Sequence, residues 1–221
     1  PRPMLAQVFS KRVSKVDYSN AIVQRKYDGN RCLIAHTYDG YIAYSRNGKP
    51  IKTIDHIIDH IAMPVNTILD GELYCHGENL QTIVSWIKRK QPNSKKLNYH
   101  IYDVVSDRPF IDRIAMAHDI QIPSCAEVVE CVTIRNRREA EVLLSAFRQE
   151  GYEGAMLRWS KSGYEDGKRS ESLLKMKEFL DAEYIVKDIQ PSKDGLAVLY
   201  MVTTTFHLRQ LRLDQWMISS L

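Results

Sequence analysis

Gln24-Arg25-Lys26-Tyr27-Asp28-Gly29-Asn30-Arg31 follows the apolar run Ala21-Ile22-Val23, and its reading decides how the whole chain is understood. The β-branched residues predict a strand, and Asp28-Gly29 predicts a tight turn directly after it. Lys26 is thereby expected at a strand end, within reach of a ligand. An ammonium so placed becomes a nucleophile once it loses its proton, which desolvation or neighbouring cations favour. Taken alone, Lys-x-Asp-Gly-x-Arg reads equally well as a hairpin turn flanked by two solvated cations.

Working outward, five more stretches follow in order: Tyr44-Ser45-Arg46-Asn47-Gly48-Lys49, Leu69-Asp70-Gly71-Glu72-Leu73, Tyr99-His100-Ile101-Tyr102-Asp103, Glu150-Gly151-Tyr152-Glu153-Gly154-Ala155-Met156-Leu157-Arg158 and Leu173-Leu174-Lys175-Met176-Lys177. With them the chain resembles the covalent nucleotidyltransferases, most closely the catalytic domain of ATP-dependent DNA ligases, in the order and spacing of motifs I, Ia, III, IIIa, IV and V. Arg2-Pro3-Met4-Leu5-Ala6 is similar to the usual entry to that domain. The resemblance covers about four-fifths of the chain.

The resemblance implies that Lys26 attacks the α-phosphate of ATP to form a lysyl-adenylate. AMP then passes to the 5′-phosphate of a nick in duplex DNA, and the 3′-hydroxyl displaces it. It further implies that Lys175 and Lys177 contact the α-phosphate, Glu72 and Arg31 the sugar, Tyr102 the purine face and Gln24 the adenine edge. Glu153 helps hold Mg2+ or Mn2+, and Arg46 meets the 5′-phosphate of the nick. The residues themselves support parts of this. Lys175 and Lys177, two apart on a strand, share a face, and their charges would help keep Lys26 unprotonated. Guanidinium geometry suits Arg46 to a phosphate. Asp70 and Glu72 share a face too, whereas a tyrosine in an alternating strand such as Tyr102 is, without the motif, plain core.

Composition is consistent with this reading but does not select it. The chain has 221 residues, 44% of them hydrophobic, enough for one good-sized domain and a small one. A formal net charge of +4 supports nucleic-acid binding only if the 31 Lys and Arg cluster; Lys88-Arg89-Lys90 with Lys95-Lys96 is a candidate patch, otherwise a solvated face. The four cysteines form no Cys-x-x-Cys pair and are expected as free thiols in a reducing cytosol, with no structural zinc. His56 and His60 have metal-ligand spacing on a helix but are expected on a solvated face. Without an apolar run of spanning length or a leader pattern, the expectation is a soluble, unexported protein with no membrane partner, and the resemblance implies a monomer in the cytoplasm of a bacterium or virus-infected cell.

Patterning predicts an α+β fold with antiparallel sheet; the resemblance implies an ATP-grasp-like nucleotidyltransferase domain over 1–180, followed by an incomplete OB-type domain over 181–221. Tyr38-Asp39-Gly40-Tyr41 and Asn47-Gly48 predict hairpins. Ile54, Ile57, Ile58 and Ile61, then Leu80, Ile83, Val84 and Ile87, predict two helices around a strand from Thr67 to Tyr74. A third helix is expected from Glu139 to Gln149 with Val142, Leu143, Ala146 and Phe147 inward. Two strands, Ala182 to Gln190 and Leu196 to Thr205, are expected after Phe179, with no clear strand from Phe206 on. Motif VI is missing apart from a faint echo at Arg212-Leu213-Asp214-Gln215, from which impaired self-adenylation is expected. The alternatives are an RNA ligase or GTP-using capping guanylyltransferase, and a nucleotide- or nick-binding remnant without turnover.

Overall fold

A computed structural model describes residues 2–159, 162–177, 185–191, 197–202 and 208–213. The chain divides into two compact units, residues 1–177 and 178–221.

Unit 1 is α+β and contains two five-stranded sheets. The first orders its strands β1-β10-β9-β2-β8. These are β1 (Leu5–Val8), β10 (Arg169–Met176), β9 (Gly154–Arg158), β2 (Ala21–Lys26) and β8 (Val132–Ile134). The second runs β4-β3-β5-β6-β7, that is β4 (Gly40–Ser45), β3 (Asn30–Thr37), β5 (Ile68–Tyr74), β6 (Asn98–Val104) and β7 (Ala126–Val128). All pairings are antiparallel except β1 with β10 and β6 with β7.

β2 ends at Lys26 and β3 begins at Asn30, so the Asp28-Gly29 turn is also the crossing from one sheet to the other. A Cβ on Gly29 would lie 2.4 Å from the Leu73 carbonyl oxygen, so this crossing admits only glycine without a backbone shift. Cys32, Leu33 and Ile34 are wholly buried in succession, as expected of a strand covered on both faces rather than one.

The helices differ in part from their sequence patterns. α1 is a single turn, Asp55–Ile58, so the isoleucine spacing overstates it; Ile54 and Ile61 are buried but flank it. α2 (Leu80–Lys88) is capped by Asn79, whose side-chain oxygen accepts from the Thr82 amide at 2.9 Å, and it buries Ile83 and Trp86 while Leu80 stays largely exposed. α3 (Phe110–His118) packs on β6 and α4 (Arg137–Gln149) on β9. Asn136 caps α4, and Glu139 reaches back to the Arg135 amide at 2.8 Å. The inward face of α4 is Ala140, Leu143, Leu144 and Phe147; Val142 is 60% exposed, which corrects its expected inward placement. The 100° step from Val142 to Leu143 carries the residue past the edge of the buried stripe.

In unit 2 three antiparallel strands pair in order, β11 (Ile185–Pro191), β12 (Ala197–Val202) and β13 (Leu208–Leu213). β13 corrects the expectation of no clear strand there. Leu208-Arg209-Gln210-Leu211-Arg212-Leu213 does not alternate, so its period is weak, but β12 offers it six consecutive pairing positions. The expected strand residues 182–184, 196 and 203–205, and Asp214-Gln215 of the motif VI echo, lie outside the described residues. Among the described residues no helix is long and apolar enough to cross a membrane, and all four cysteines are free.

Candidate active site

Between the two sheets of unit 1 opens a cleft of about 960 Å3. Lys26, Gln24, Met156, Arg158, Lys175 and Lys177 line it from the first sheet, and Arg31, Glu72 and Tyr102 from the second. Ser45, Arg46, Asn47, Lys49 and Lys88 line its rim. The volume suits a nucleotide-sized ligand.

Pairing register explains the convergence. Lys26 faces Gly154 across the β2–β9 ladder, and Lys175 faces Met156 across β9–β10. The Glu153 amide donates to the Lys26 carbonyl at 3.0 Å. The Glu153 carboxylate in turn accepts from both Lys26 Nζ and Lys177 Nζ. Gly154 permits this approach, because a Cβ there would meet the Met176 carbonyl oxygen at 2.3 Å. Tyr27 backs the turn from behind: its ring stacks on His100 at 4.3 Å and meets the edge of Tyr152 at 5.4 Å.

Burial lowers the Lys26 ammonium from its ordinary value, against the pull of Glu72 and Asp28, with Arg31 adding to the lowering. Lys177 is also lowered, by desolvation first and by the Lys26 charge second. Glu72 moves the other way: burial lifts it to about 8, although Lys26 and Arg31 oppose the rise. These three shifts share one leading cause, burial, and all favour the uncharged forms.

Arg31 is held before any ligand arrives. Its Nε donates to Asp70 Oδ1 at 2.8 Å, Nη2 pairs with Asp70 Oδ2, and Nη1 donates to the Met4 carbonyl at 2.7 Å. Tyr164 adds a hydroxyl donor to Asp70 at 2.6 Å. Asp70 is thus the fully buried anchor of Arg31, a use that its strand alternation with Glu72 alone does not reveal. Tyr102 donates its hydroxyl to Glu72 at 3.4 Å, and the Arg31 guanidinium lies 5.6 Å from its ring centre.

Gln24, 1% exposed, meets an arginine that the sequence reading passed over. Arg158 Nε donates to Gln24 Oε1 at 3.1 Å, its Nη1 to Asp103 Oδ2 at 2.8 Å, and its Nη2 to the Tyr102 carbonyl at 3.4 Å. Asp103 also accepts from Arg113 at 2.7 and 3.1 Å. Met156 and Arg158, two apart on β9, both face the cleft; that period was the available signal.

Arg46 lies apart from this core, exposed on the rim. Of the candidate basic patch only Lys88 lines the cleft; Lys90 pairs with Asp55, and Lys96 sits 5.8 Å over the Trp86 ring. His56 is tied by Nε2 to the Leu97 carbonyl at 3.0 Å. No group of three or more His, Cys, Asp or Glu gathers for a metal among the described residues.

A family model described as the ATP dependent DNA ligase domain matches residues 3–177, which hold both sheets and the whole cleft. The chain belongs to that family. A DNA ligase of African swine fever virus is 32% identical over 212 residues, covering 87% of this chain and 50% of its own length. A DNA ligase of Methanosphaera stadtmanae is 28% identical over 199 residues, 80% of this chain and 36% of the relative. The chain therefore spans about half the length, or less, of the curated DNA ligases it matches. Among solved structures, a Lig E DNA ligase superposes with a TM-score of 0.76 at 22% identity, over 96% of this chain and 84% of that one. Chlorella virus DNA ligase-adenylate gives 0.61 at 21%, over 97% and 86%. These two likenesses establish that the fold is that of ATP-dependent DNA ligases.

Proposed function

We propose that this chain performs ATP-dependent DNA ligation, with Lys26 as the group that carries AMP to a 5′-phosphate/3′-hydroxyl nick in duplex DNA. Residues 1–180 form the nucleotidyltransferase domain and 181–221 belong to an OB-type domain. The observation that carries the reading is the meeting of Lys26, Lys175, Lys177 and Glu72 in one nucleotide-sized cleft of a DNA ligase family domain, with Glu153 paired to both Lys26 and Lys177.

In the first step the Lys26 nitrogen bonds to the α-phosphorus of ATP as the bond to pyrophosphate breaks. Burial first, and the charge of Arg31 with it, favour the deprotonated amine that this attack requires. Lys175 and Lys177 stand where charge accumulates on the phosphate oxygens, a preorganised arrangement that stabilises the transition state. Tyr102 offers a face to the purine, Glu72 and Arg31 flank the sugar, and Gln24 meets the base edge. AMP then leaves Lys26 for the 5′-phosphate, which Arg46 holds at the rim, and the 3′-hydroxyl displaces AMP to close the strand.

Glu153 would hold a divalent cation such as Mg2+ or Mn2+: among the described residues no all-protein cage forms, and a single carboxylate suits an ion that completes its shell with phosphate and water oxygens. When bound, the ion neutralises charge on the reacting phosphates. We take the chain to act as a monomer, and the free thiols suit a reducing compartment.

The test is incubation with α-labelled ATP, Mg2+ and nicked DNA, read on denaturing gels for protein-bound AMP and for sealed product. Label on Lys26 and a sealed strand are expected. A protein that takes up no label and seals no nick, pre-adenylated or not, overturns the proposal.

A further inference from the structure

We infer that Arg158, anchored on Asp103, sets an ATP-over-GTP preference by fixing which atom of the Gln24 amide faces the base. The inference rests on the nucleotide reading of the cleft and goes one step past it.

A guanidinium has donors only, so the Gln24 atom 3.1 Å from Arg158 Nε must be the amide oxygen. The amide nitrogen is then turned toward the Tyr102 carbonyl and the Cys131 sulfur, both at 3.4 Å. A flipped amide would set its NH2 against the guanidinium, donor against donor, in a place where Gln24 and Arg158 are 1% and 5% exposed.

Arg158 itself cannot yield. Asp103 receives two guanidiniums, Arg158 and Arg113, and Asp103 and Arg113 are each 1% exposed. One carboxylate between two permanent cations leaves an excess of positive charge, for which the Gln24 oxygen is a neutral acceptor. The register places this cluster at the end of the cleft away from the reacting lysine. Gln24 is two residues before Lys26, and Arg158 faces Ile22, two residues further back. A nucleotide with its α-phosphate at Lys26 would send its base in this direction.

An oxygen acceptor at that point discriminates. Its second lone pair matches the amino group at position 6 of adenine, whereas guanine presents a carbonyl oxygen there. Arg158 is therefore a positioning residue, acting on the base through Gln24. Without it the amide is free to turn and offer its NH2 to guanine.

The experiment measures label transfer to Lys26 from α-labelled ATP and α-labelled GTP, as the ratio of second-order rate constants. The wild-type chain is expected to favour ATP, and Arg158→Met to lower the ratio roughly 10- to 100-fold, the size of one mispaired buried polar contact. In the Gln24→Leu background, Arg158→Met should no longer change the ratio, since no amide remains to be oriented. If it still does, Arg158 touches the base directly and the inference fails. An unchanged ratio in Arg158→Met with normal ATP labelling also overturns it, leaving the proposed function intact; no ATP labelling of the wild type overturns both. Should Arg158→Met not fold, Gln24→Leu alone decides: retention of the full wild-type ATP preference refutes the role of the amide.

Discussion

Lys26 and Glu153 hold each other twice, once through the backbone, where the Glu153 amide donates to the Lys26 carbonyl at 3.0 Å, and once through the ammonium and the carboxylate. The first bond fixes the strand register and the second fixes the side chains within it. A one-residue slip of β9 would turn Met156 and Arg158 out of the cleft and break both bonds.

Removing the nucleophile tests the proposed chemistry most directly. Lys26→Ala should reduce AMP labelling to background while leaving the thermal midpoint within a few degrees, since Lys26 contributes one partly exposed ion pair. Lys26→Arg should fail equally, because guanidinium does not deprotonate. Label from ATP on either variant would show that another group carries the nucleotide.

Gly154→Ala isolates geometry from chemistry. The added Cβ meets a backbone oxygen, not a flexible side chain, so β9 must move away from β10. Labelling is expected to fall at least tenfold, although no charged group has changed; normal labelling would mean that the Lys26–Glu153 register tolerates displacement.

For Arg46→Ala the expectation is the reverse. An exposed rim residue should alter stability by less than about 0.5 kcal/mol. Labelling from ATP should persist and sealing should slow, measured with nicks carrying a 5′-phosphate. Loss of nucleotide uptake with sealing of pre-adenylated nicks intact would reassign the residue.

Asp70→Asn should be among the most destabilising single changes in unit 1. It leaves the Arg31 guanidinium sheltered without its counter-charge, a situation that costs about 3 to 5 kcal/mol and lowers the midpoint on the order of 10 °C. A midpoint within 2 °C of wild type, an interval set by the roughly 2–4 °C expected per kcal/mol, would count against the anchoring role.

The Glu72 carboxyl gives a pH dependence of known sign. Its folded pKa of about 8 lies above the ordinary 4.5, so between these values the folded protein binds a proton that the unfolded chain has released. The contribution to stability is complete below 4.5 and is lost as pH rises through 8. Glu72→Gln cannot titrate, so its midpoint relative to wild type should climb from pH 5 to pH 9. A flat difference would show that the ion pairing of Glu72 offsets its burial.

Much of this was readable because it is local. Lys26 at a strand end, the Asp28-Gly29 turn and the strand alternation of Lys175 with Lys177 each follow from a few adjacent residues. What escaped depends on contacts across the fold. Arg113 of α3 carries no local signal in its neighbours of its burial on Asp103 of β6. Asp70 meets Arg31 only because β3 and β5 are neighbours, and β13 exists because β12 supplies a pairing edge.

The parallel pairing of β1 with β10 joins Leu5 to Arg169 across more than 160 residues. During synthesis Lys26 on β2, the proposed nucleophile, therefore leaves the ribosome early, but Glu153 and the Lys175 strand emerge only when most of residues 1–177 have been made. At translation rates of about 5–20 residues per second, about 6 to 30 seconds separate Lys26 from Glu153 and Lys175. A nascent chain in that interval has no assembled cleft, so under the proposed chemistry closure of this long loop, which carries an entropic cost, would make nucleotide uptake wait on folding.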